Sequence, residues 1–213
     1  MADPLTIVGL GGSLARVSRS AAALRLALRG AEGAGARIVF LDLRELDLPM
    51  FDPDDEEPRT ATAQWLVESC YQADGMLWSS PMYQGTISGA FKNALDWLHV
   101  LGRREPPFLH DKVIGLISAA GGTHGLQAIN TMEFSVRALR GWAVPYVVPV
   151  GTAARVFDPD GEVTDPVVQS QLELLGGEVV RVAQRFAADP AVHRGAECDG
   201  AAERVAGAAG ARG

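Results

Sequence analysis

The sequence is short of cysteine, of basic residues and of long apolar runs. Two cysteines, Cys70 and Cys198, in 213 residues cannot form a disulfide framework, which argues against a small secreted scaffold. No apolar run reaches the roughly 18 residues of a membrane-spanning helix. The amino-terminal apolar stretch has no basic segment before it, unlike a signal peptide. With 19 Lys and Arg against 26 Asp and Glu, the net charge of −7 disfavours nucleic-acid binding. We therefore expect a cytoplasmic protein without nucleic-acid or membrane partners.

Short apolar runs alternate along the chain with segments of helical periodicity. The predicted strands cover residues 5–10, 37–42, 75–79, 112–118 and 143–150, and the predicted helices cover 18–29, 60–73, 88–98, 126–140 and 166–187. This alternation is typical of an α/β fold, in which helices cover both faces of a parallel sheet. Five strands predict a flavodoxin-like three-layer sandwich with the strand order 2-1-3-4-5.

Several single residues refine this prediction. Ser88 and Asp165 are typical helix N-caps, and Pro166 suits the first position of the last helix. Pro145 and Pro149 favour an edge position for the fifth strand. We expect residues 1–188 to form one domain and residues 189–213, rich in Ala, Gly and Arg, to form a disordered tail.

The first of three loops at the carboxyl ends of the strands has the composition of an anion site. Ligands of such sheets bind where these loops meet, here residues 11–17, 80–87 and 119–124. Small, hydroxyl-bearing and basic residues crowd the first loop and the start of its helix: Gly11, Gly12, Ser13, Arg16, Ser18, Arg19 and Ser20. Backbone N–H groups, hydroxyls and a helix N-terminus together favour a phosphate. The loop lacks the lysine of a Walker motif, and Leu14 stands where a dinucleotide fingerprint needs its third glycine.

The second loop and the helix after it carry a recognisable motif. Residues 80–98 read SPMYQGTISGAFKNALDWL. This segment resembles the hallmark S-P-x-Y-x-G-x-x-x-G-x-x-K-N-x-L-D of the NADPH-dependent FMN reductase family. The matching residues are Ser80, Pro81, Tyr83, Gly85, Gly89, Lys92, Asn93, Leu95 and Asp96. The first loop is similar to the family pattern G-S-x-R-x-x-S, although Ala15 stands where the family often has arginine. The charge then falls on Arg16 or Arg19.

The resemblance implies a flavoenzyme with FMN as cofactor and NADPH or NADH as electron donor. It assigns the phosphate to Ser13, Ser18, Arg19 and Ser20, with Arg16 as an alternative cation. It places Pro81, Met82, Tyr83 and Gln84 against the isoalloxazine ring and ribityl chain. Gly121, Gly122, Thr123 and His124 would form the opposite wall. In this scheme NAD(P)H passes a hydride through flavin N5 to an acceptor. No catalytic side chain and no metal ligand is assigned, although His124 is a candidate proton donor.

Other functions and assemblies remain open from the sequence. An FMN-dependent dehydrogenase that oxidises a specific small cyclic metabolite would use the same cofactor. A flavodoxin-type electron carrier ranks lower, because those proteins have a Thr-rich phosphate loop. The resemblance also implies a homodimer or homotetramer, in which Arg103, Arg104 or the acidic residues 52–57 reach a neighbouring subunit. Besides FMN and a small-molecule substrate, a flavin-using monooxygenase is a possible partner.

Overall fold

A central parallel sheet organises the chain. The computed structural model describes residues 3–55, 57–122 and 125–188. The strands are β1 (Thr6–Gly11), β2 (Arg37–Asp42), β3 (Gly75–Tyr83), β4 (Thr86–Ile87), β5 (Val113–Ala119) and β6 (Trp142–Val150). Five of them pair in parallel in the order β2-β1-β3-β5-β6. This confirms the predicted flavodoxin-like order of the five main strands. The predicted tail, residues 189–213, lies outside the described residues.

Helices connect the strands and cover both faces of the sheet. They are α1 (Arg19–Gly33), α2 (Leu43–Leu46), α3 (Ala61–Gln72), α4 (Gly89–Trp97), α5 (Leu126–Ala138), α6 (Ala153–Val156) and α7 (Pro166–Ala187), with a 3-10 helix at Leu98–Arg103. Ser88 and Asp165 cap α4 and α7 as predicted, since their side chains accept backbone N–H groups of the first turn. Both short helices, α2 and α6, fall in segments for which no helix was predicted. No helix within the described ranges has the length and hydropathy of a membrane span.

The third strand is longer than predicted. Residues 80–83, expected as a loop, continue β3 and pair with the end of β5 as far as Pro81 and Ala119. After a two-residue turn at Gln84 and Gly85, β4 pairs antiparallel with β3. The pairing of β1 with β3 ends at Ser79, so a proline beyond it removes no hydrogen bond to β1.

Two apolar cores lie on opposite faces of the sheet. Helices α3, α4 and α5 cover one face, and α1 and α7 cover the other. The approach of α1 to α7 is very close: a Cβ atom on Gly30 would lie 2.0 Å from the Glu173 carbonyl oxygen. A Cβ on Gly176 would likewise lie 1.9 Å from the Ala27 carbonyl oxygen. Only glycine permits this contact between the two helix backbones.

The edge position of β6 explains why the strand tolerates prolines. β6 is the outer neighbour of β5, as Pro145 and Pro149 predict. Its register shifts between Ile114 and Leu116, which pair with Ala143 and Val147. Pro145 lies within this irregularity, where a missing N–H group interrupts no regular ladder.

Candidate functional site

A cleft of about 430 Å³ opens at the carboxyl end of the sheet. It brings together the three loops that the sequence predicts to meet there, with a fourth segment after β6. Its lining residues are Ser13, Ala15, Val17, Arg19, Ser20, Pro81, Met82, Tyr83, Ala119, Ala120, Gly121, Ala153, Asp158 and Pro159. Seven of the predicted site residues therefore share one cleft: Ser13, Arg19, Ser20, Pro81, Met82, Tyr83 and Gly121.

Two glycines hold the first loop against β3. The Gly12 N–H group donates to the Ser79 carbonyl oxygen at 3.1 Å. A Cβ atom on Gly11 would lie 2.1 Å from that same oxygen, which excludes any side chain there. Gly12 has φ +97°, a conformation that residues with a side chain rarely adopt. The loop therefore leaves β1 along a path that only glycines allow.

The start of α1 presents a set of hydrogen-bond donors at the cleft. The Ser13 hydroxyl donates to Ser18 Oγ at 3.0 Å, and the hydroxyls of Ser18 and Ser20 lie 3.2 Å apart. Ser18 Oγ also accepts the Ala21 N–H group as the N-cap. Helix geometry leaves the N–H groups of Arg19 and Ser20 without intrahelical acceptors. Buried hydroxyls, free N–H groups and the positive end of the helix dipole together favour an anion.

Of the two candidate cations, Arg19 has the better position. Arg19 is partly buried and lines the cleft, whereas Arg16 is exposed and is not among the lining residues. Arg44, which the sequence analysis did not single out, also supports this loop, because its Nη1 donates to the Leu14 carbonyl oxygen at 2.5 Å. The two residues are 30 positions apart, and no sequence signal connects them. Ser18, another predicted phosphate residue, does not line the cleft itself, but its hydroxyl contacts those of Ser13 and Ser20, which do.

The end of β3 forms a second wall. Pro81, Met82 and Tyr83 line the cleft, and the Tyr83 side chain is 51% exposed at its rim. Ser80 is buried behind them, where its hydroxyl accepts the Ser88 N–H group and donates to the Pro81 carbonyl oxygen. Gln84 is exposed in the turn at φ +50° and does not line the cleft.

The loop after β5 borders the cleft opposite the first loop. Gly121 lines it, and among the described residues nothing would lie within 4 Å of a Cβ atom on Gly121 or Gly122. The Gly122 carbonyl oxygen accepts the Thr152 N–H group at 2.8 Å, which ties this loop to the end of β6. Thr123 and His124, the other two residues predicted for this wall, lie outside the described residues.

Comparison with known proteins relates the chain that forms this cleft to a protein family. The model of the NADPH-dependent FMN reductase family matches residues 5–155. The chain belongs to this family. A relative from Oryza sativa subsp. japonica, named probable NADPH:quinone oxidoreductase 2, is 28% identical over 186 residues, which cover 79% of this chain and 84% of the relative. The NAD(P)H-dependent FAD/FMN reductase of Geobacillus thermodenitrificans is 28% identical over 147 residues, or 68% of this chain and 75% of the relative.

A solved structure agrees with the fold. The flavoenzyme NAD(P)H:(acceptor) oxidoreductase FerB from Paracoccus denitrificans superposes with a TM-score of 0.69 at 21% identity, over 85% of this chain and 98% of that one. Family membership confirms the resemblance read from residues 80–98. It also confirms FMN as the cofactor and an NAD(P)H-dependent oxidoreductase as the enzyme class.

The second half of the family motif lies on α4, outside the cleft, and contacts the segment after α2. Asn93 Oδ1 accepts the Phe51 N–H group, and Asn93 Nδ2 donates to the Pro49 carbonyl oxygen, both at 2.9 Å. The Trp97 indole N–H donates to the same carbonyl at 2.9 Å, and its ring is buried in the core. Lys92 forms an ion pair with Asp96 one turn away. The contacts of Asn93 and Trp97 fix the segment after α2 to α4, whereas the Lys92–Asp96 pair lies within α4.

Two lining residues lie beyond the predicted loops and beyond the residues that the family model matches. Asp158 and Pro159 begin a turn after α6 and form part of the cleft wall. Residues 158–161 read Asp-Pro-Asp-Gly, a typical turn sequence. That signal predicts the turn itself, but it does not reveal that the turn borders the cleft of the flavin reductase fold.

Proposed function

We propose that this chain binds FMN in the cleft and acts as an NAD(P)H-dependent reductase of a small quinone-type acceptor. One observation carries the proposal: an anion-binding helix start and two uncharged walls share a single cleft in a chain of the FMN reductase family. A phosphate-bearing, planar and largely uncharged ligand suits such a lining.

The lining residues fit the two ends of FMN. Ser13, Ser20 and Arg19 offer hydroxyl, N–H and guanidinium donors to the phosphate. Pro81, Met82 and the backbone beyond them offer a flat wall and N–H groups to the ring. Bound FMN supplies the redox chemistry, because its ring accepts a hydride and passes the electrons on. The chain orients the ring, binds its phosphate and leaves one side open.

The open side suits exchange of the electron donor and the acceptor. Gly121 carries no side chain, and a Cβ atom there would meet no other group of the described residues within 4 Å, which leaves this side of the cleft open. Tyr83 is half exposed at the rim, where its ring can contact an incoming aromatic substrate. The rice relative is named a probable NADPH:quinone oxidoreductase, which supports a quinone-type acceptor.

Anaerobic reduction tests the proposal. The protein is loaded with FMN and mixed with NADPH or NADH, while the flavin absorbance near ~450 nm is followed. We expect rapid bleaching, followed by reoxidation when a benzoquinone is added. Bound FMN that neither nucleotide reduces would contradict the proposal and would indicate a dehydrogenase that takes its hydride from a metabolite.

The remaining predictions extend the proposal to the whole chain. We place the functional domain within residues 1–188, in the cytoplasm, and we expect a homodimer or homotetramer. The exposed side chains of Leu14 and Met50 near the first loop offer an apolar contact for a neighbouring subunit. Arg104 pairs with Glu68 and Asp55 pairs with Arg59 within this chain, so both candidate segments would have to exchange an internal ion pair to reach a neighbouring subunit. Light scattering tests the assembly, and a monomer would contradict it.

A further inference from the structure

A turn beyond the matched family residues forms one wall of the cofactor cleft. The family match ends at residue 155, and the turn begins just after it. Phe157 and Val163 close the turn by an antiparallel bridge. Asp158 and Pro159 from this turn line the cleft. The match to the family model therefore does not cover this wall.

The turn lies against the phosphate side of the cleft. A Cβ atom on Gly161 would lie 2.8 Å from Val17 Cγ1, so the turn contacts the first loop directly. Val17 itself lines the cleft one residue before the Ser18 cap of α1. A group in this turn therefore lies close to whatever is attached to a bound phosphate.

The Asp158 carboxylate is fixed by one of its two oxygens. Oδ1 accepts the N–H groups of Asp160 at 3.0 Å and of Glu162 at 2.8 Å. Within the described part of the chain, no hydrogen bond reaches Oδ2. An ionised carboxylate has about four acceptor sites. Asp158 thus offers a positioned acceptor with capacity left at the edge of the cleft.

The charges of the cleft suit a ligand with both an anionic end and hydroxyl groups. Among the described lining residues, Arg19 provides the one guanidinium and Asp158 the one carboxylate. A carboxylate repels a phosphate but accepts hydrogen bonds from alcohols, as acidic residues do for ribose hydroxyls in nucleotide sites. A phosphorylated polyol satisfies both groups at once.

We propose that Asp158 is a specificity-determining residue that accepts hydrogen bonds from the ribityl hydroxyls of FMN. This inference rests on the proposed function, because it takes FMN as the ligand of the cleft. It adds a third point of recognition to the phosphate and the ring. The cleft would then select flavins that carry the polyol chain.

Binding of three flavins to matched variants tests the inference. Asp158→Asn keeps one oxygen for the turn and replaces the other by an NH₂ donor. Asp160→Asn removes the same charge from the same turn, at a residue that does not line the cleft. Dissociation constants for FMN, riboflavin and lumiflavin, which lacks the ribityl chain, are measured by fluorescence titration. We expect Asp158→Asn to weaken FMN and riboflavin binding about tenfold and to leave lumiflavin unchanged. Asp160→Asn should leave all three unchanged.

The other outcomes separate the two proposals. Tighter FMN binding by Asp158→Asn would show that the carboxylate only repels the phosphate, and it would overturn the inference. Equal losses for all three flavins, or equal effects of the two variants, would overturn it as well. If Asp158→Asn does not fold by circular dichroism, Asp158→Ser, whose hydroxyl can still accept the turn N–H groups, replaces it with the same expectation. Wild-type protein that binds no FMN would overturn the proposed function, whereas normal FMN binding with no difference between variants overturns this inference alone.

Discussion

The two ends of the central sheet use their polar groups in opposite ways. At the amino end, polar groups join one strand to the next: the Thr6 N–H donates to Asp74 Oδ2 at 2.7 Å, and Lys112 Nζ donates to the Ala73 carbonyl oxygen at 2.6 Å. At the carboxyl end, the hydroxyls of Ser13 and Ser20 border an open cleft. The polar groups named at the amino end thus bond to neighbouring segments of the fold, whereas those named at the carboxyl end also face the cleft. We expect substitutions at the two ends to separate stability from flavin binding.

Among the described residues, the two side chains whose pKa values are changed mainly by burial also lie near the amino end. Burial raises the pKa of the Cys70 thiol from 9.0 to about 12, against a smaller opposing effect of Lys112. Burial lowers the pKa of the Lys112 ammonium, although Asp74, Cys70 and Asp111 oppose this. Both side chains lie near the amino end of the sheet, and neither lines the cofactor cleft.

The largest effect is expected from Gly11→Ala at the carboxyl end. The new Cβ atom would lie 2.1 Å from the Ser79 carbonyl oxygen, so the first loop must move away from β3. We expect the free energy of unfolding to fall by about 3 kcal/mol and FMN binding to be lost. Gly33→Ala is the control, because a Cβ there meets none of the described residues within 4 Å. Urea unfolding and FMN titration measure both effects, and normal FMN binding by Gly11→Ala would contradict the described path of the loop.

At the amino end, Cys70 is expected to make the fold sensitive to alkali. The unfolded thiol ionises above its ordinary pKa of 9.0, whereas the folded thiol keeps its proton up to about 12. Stability from this group is therefore complete below pH 9 and is lost as the pH rises towards 12. Through this group, the free energy of unfolding of the wild type should be about 2 kcal/mol lower at pH 10.5 than at pH 8.

The Cys70→Ala variant isolates that loss. It lacks the thiol but retains Lys112, so the difference between wild type and variant cancels the opposite pH dependence of the lysine. Urea unfolding at pH 8 and at pH 10.5 gives the comparison. Parallel decreases in the two proteins would show that the buried thiol does not contribute.

A smaller effect should distinguish the two arginines near the first loop. Arg19 lines the cleft and Arg16 does not. Under the proposed function, Arg19→Gln should therefore remove a charge-assisted contact with the phosphate. We expect FMN binding to weaken about tenfold in Arg19→Gln and less than about twofold in Arg16→Gln. Riboflavin, which has no phosphate, should bind both variants equally well. The reverse order of the arginines would place the phosphate outside the helix start.

The features that the sequence predicts best are those with a local cause. Apolar periodicity and the caps Ser88 and Asp165 locate strands and helices within a few residues. The extension of β3 was missed because Ser80 and Pro81 are typical of loops and become a strand only through pairing with β5. The roles of Arg44 and Asp158 depend on contacts between distant segments, which no local pattern encodes. The assignments of Thr123 and His124 stay predictions.

The smallest effect is expected from a substitution of the exposed Asp74 at the amino end, which leaves the buried Cys70 and Lys112 in place. Asp74 is exposed, but its Oδ2 accepts the Thr6 N–H group, and its own N–H group donates to the Thr6 carbonyl oxygen at 2.9 Å. Asp74→Ala keeps the backbone bond but removes the side-chain bond and the attraction of the carboxylate for Lys112, so the unfolding free energy should fall by about 1 kcal/mol. Asp54→Ala, in an exposed loop, serves as the charge-matched control and should change stability by less than about 0.5 kcal/mol. FMN affinity should stay the same in both, because Asp74 lies at the end of the sheet opposite the cleft. A loss of FMN binding in Asp74→Ala alone would show that the two ends are coupled, and the division between a structural end and a ligand-binding end would then fail.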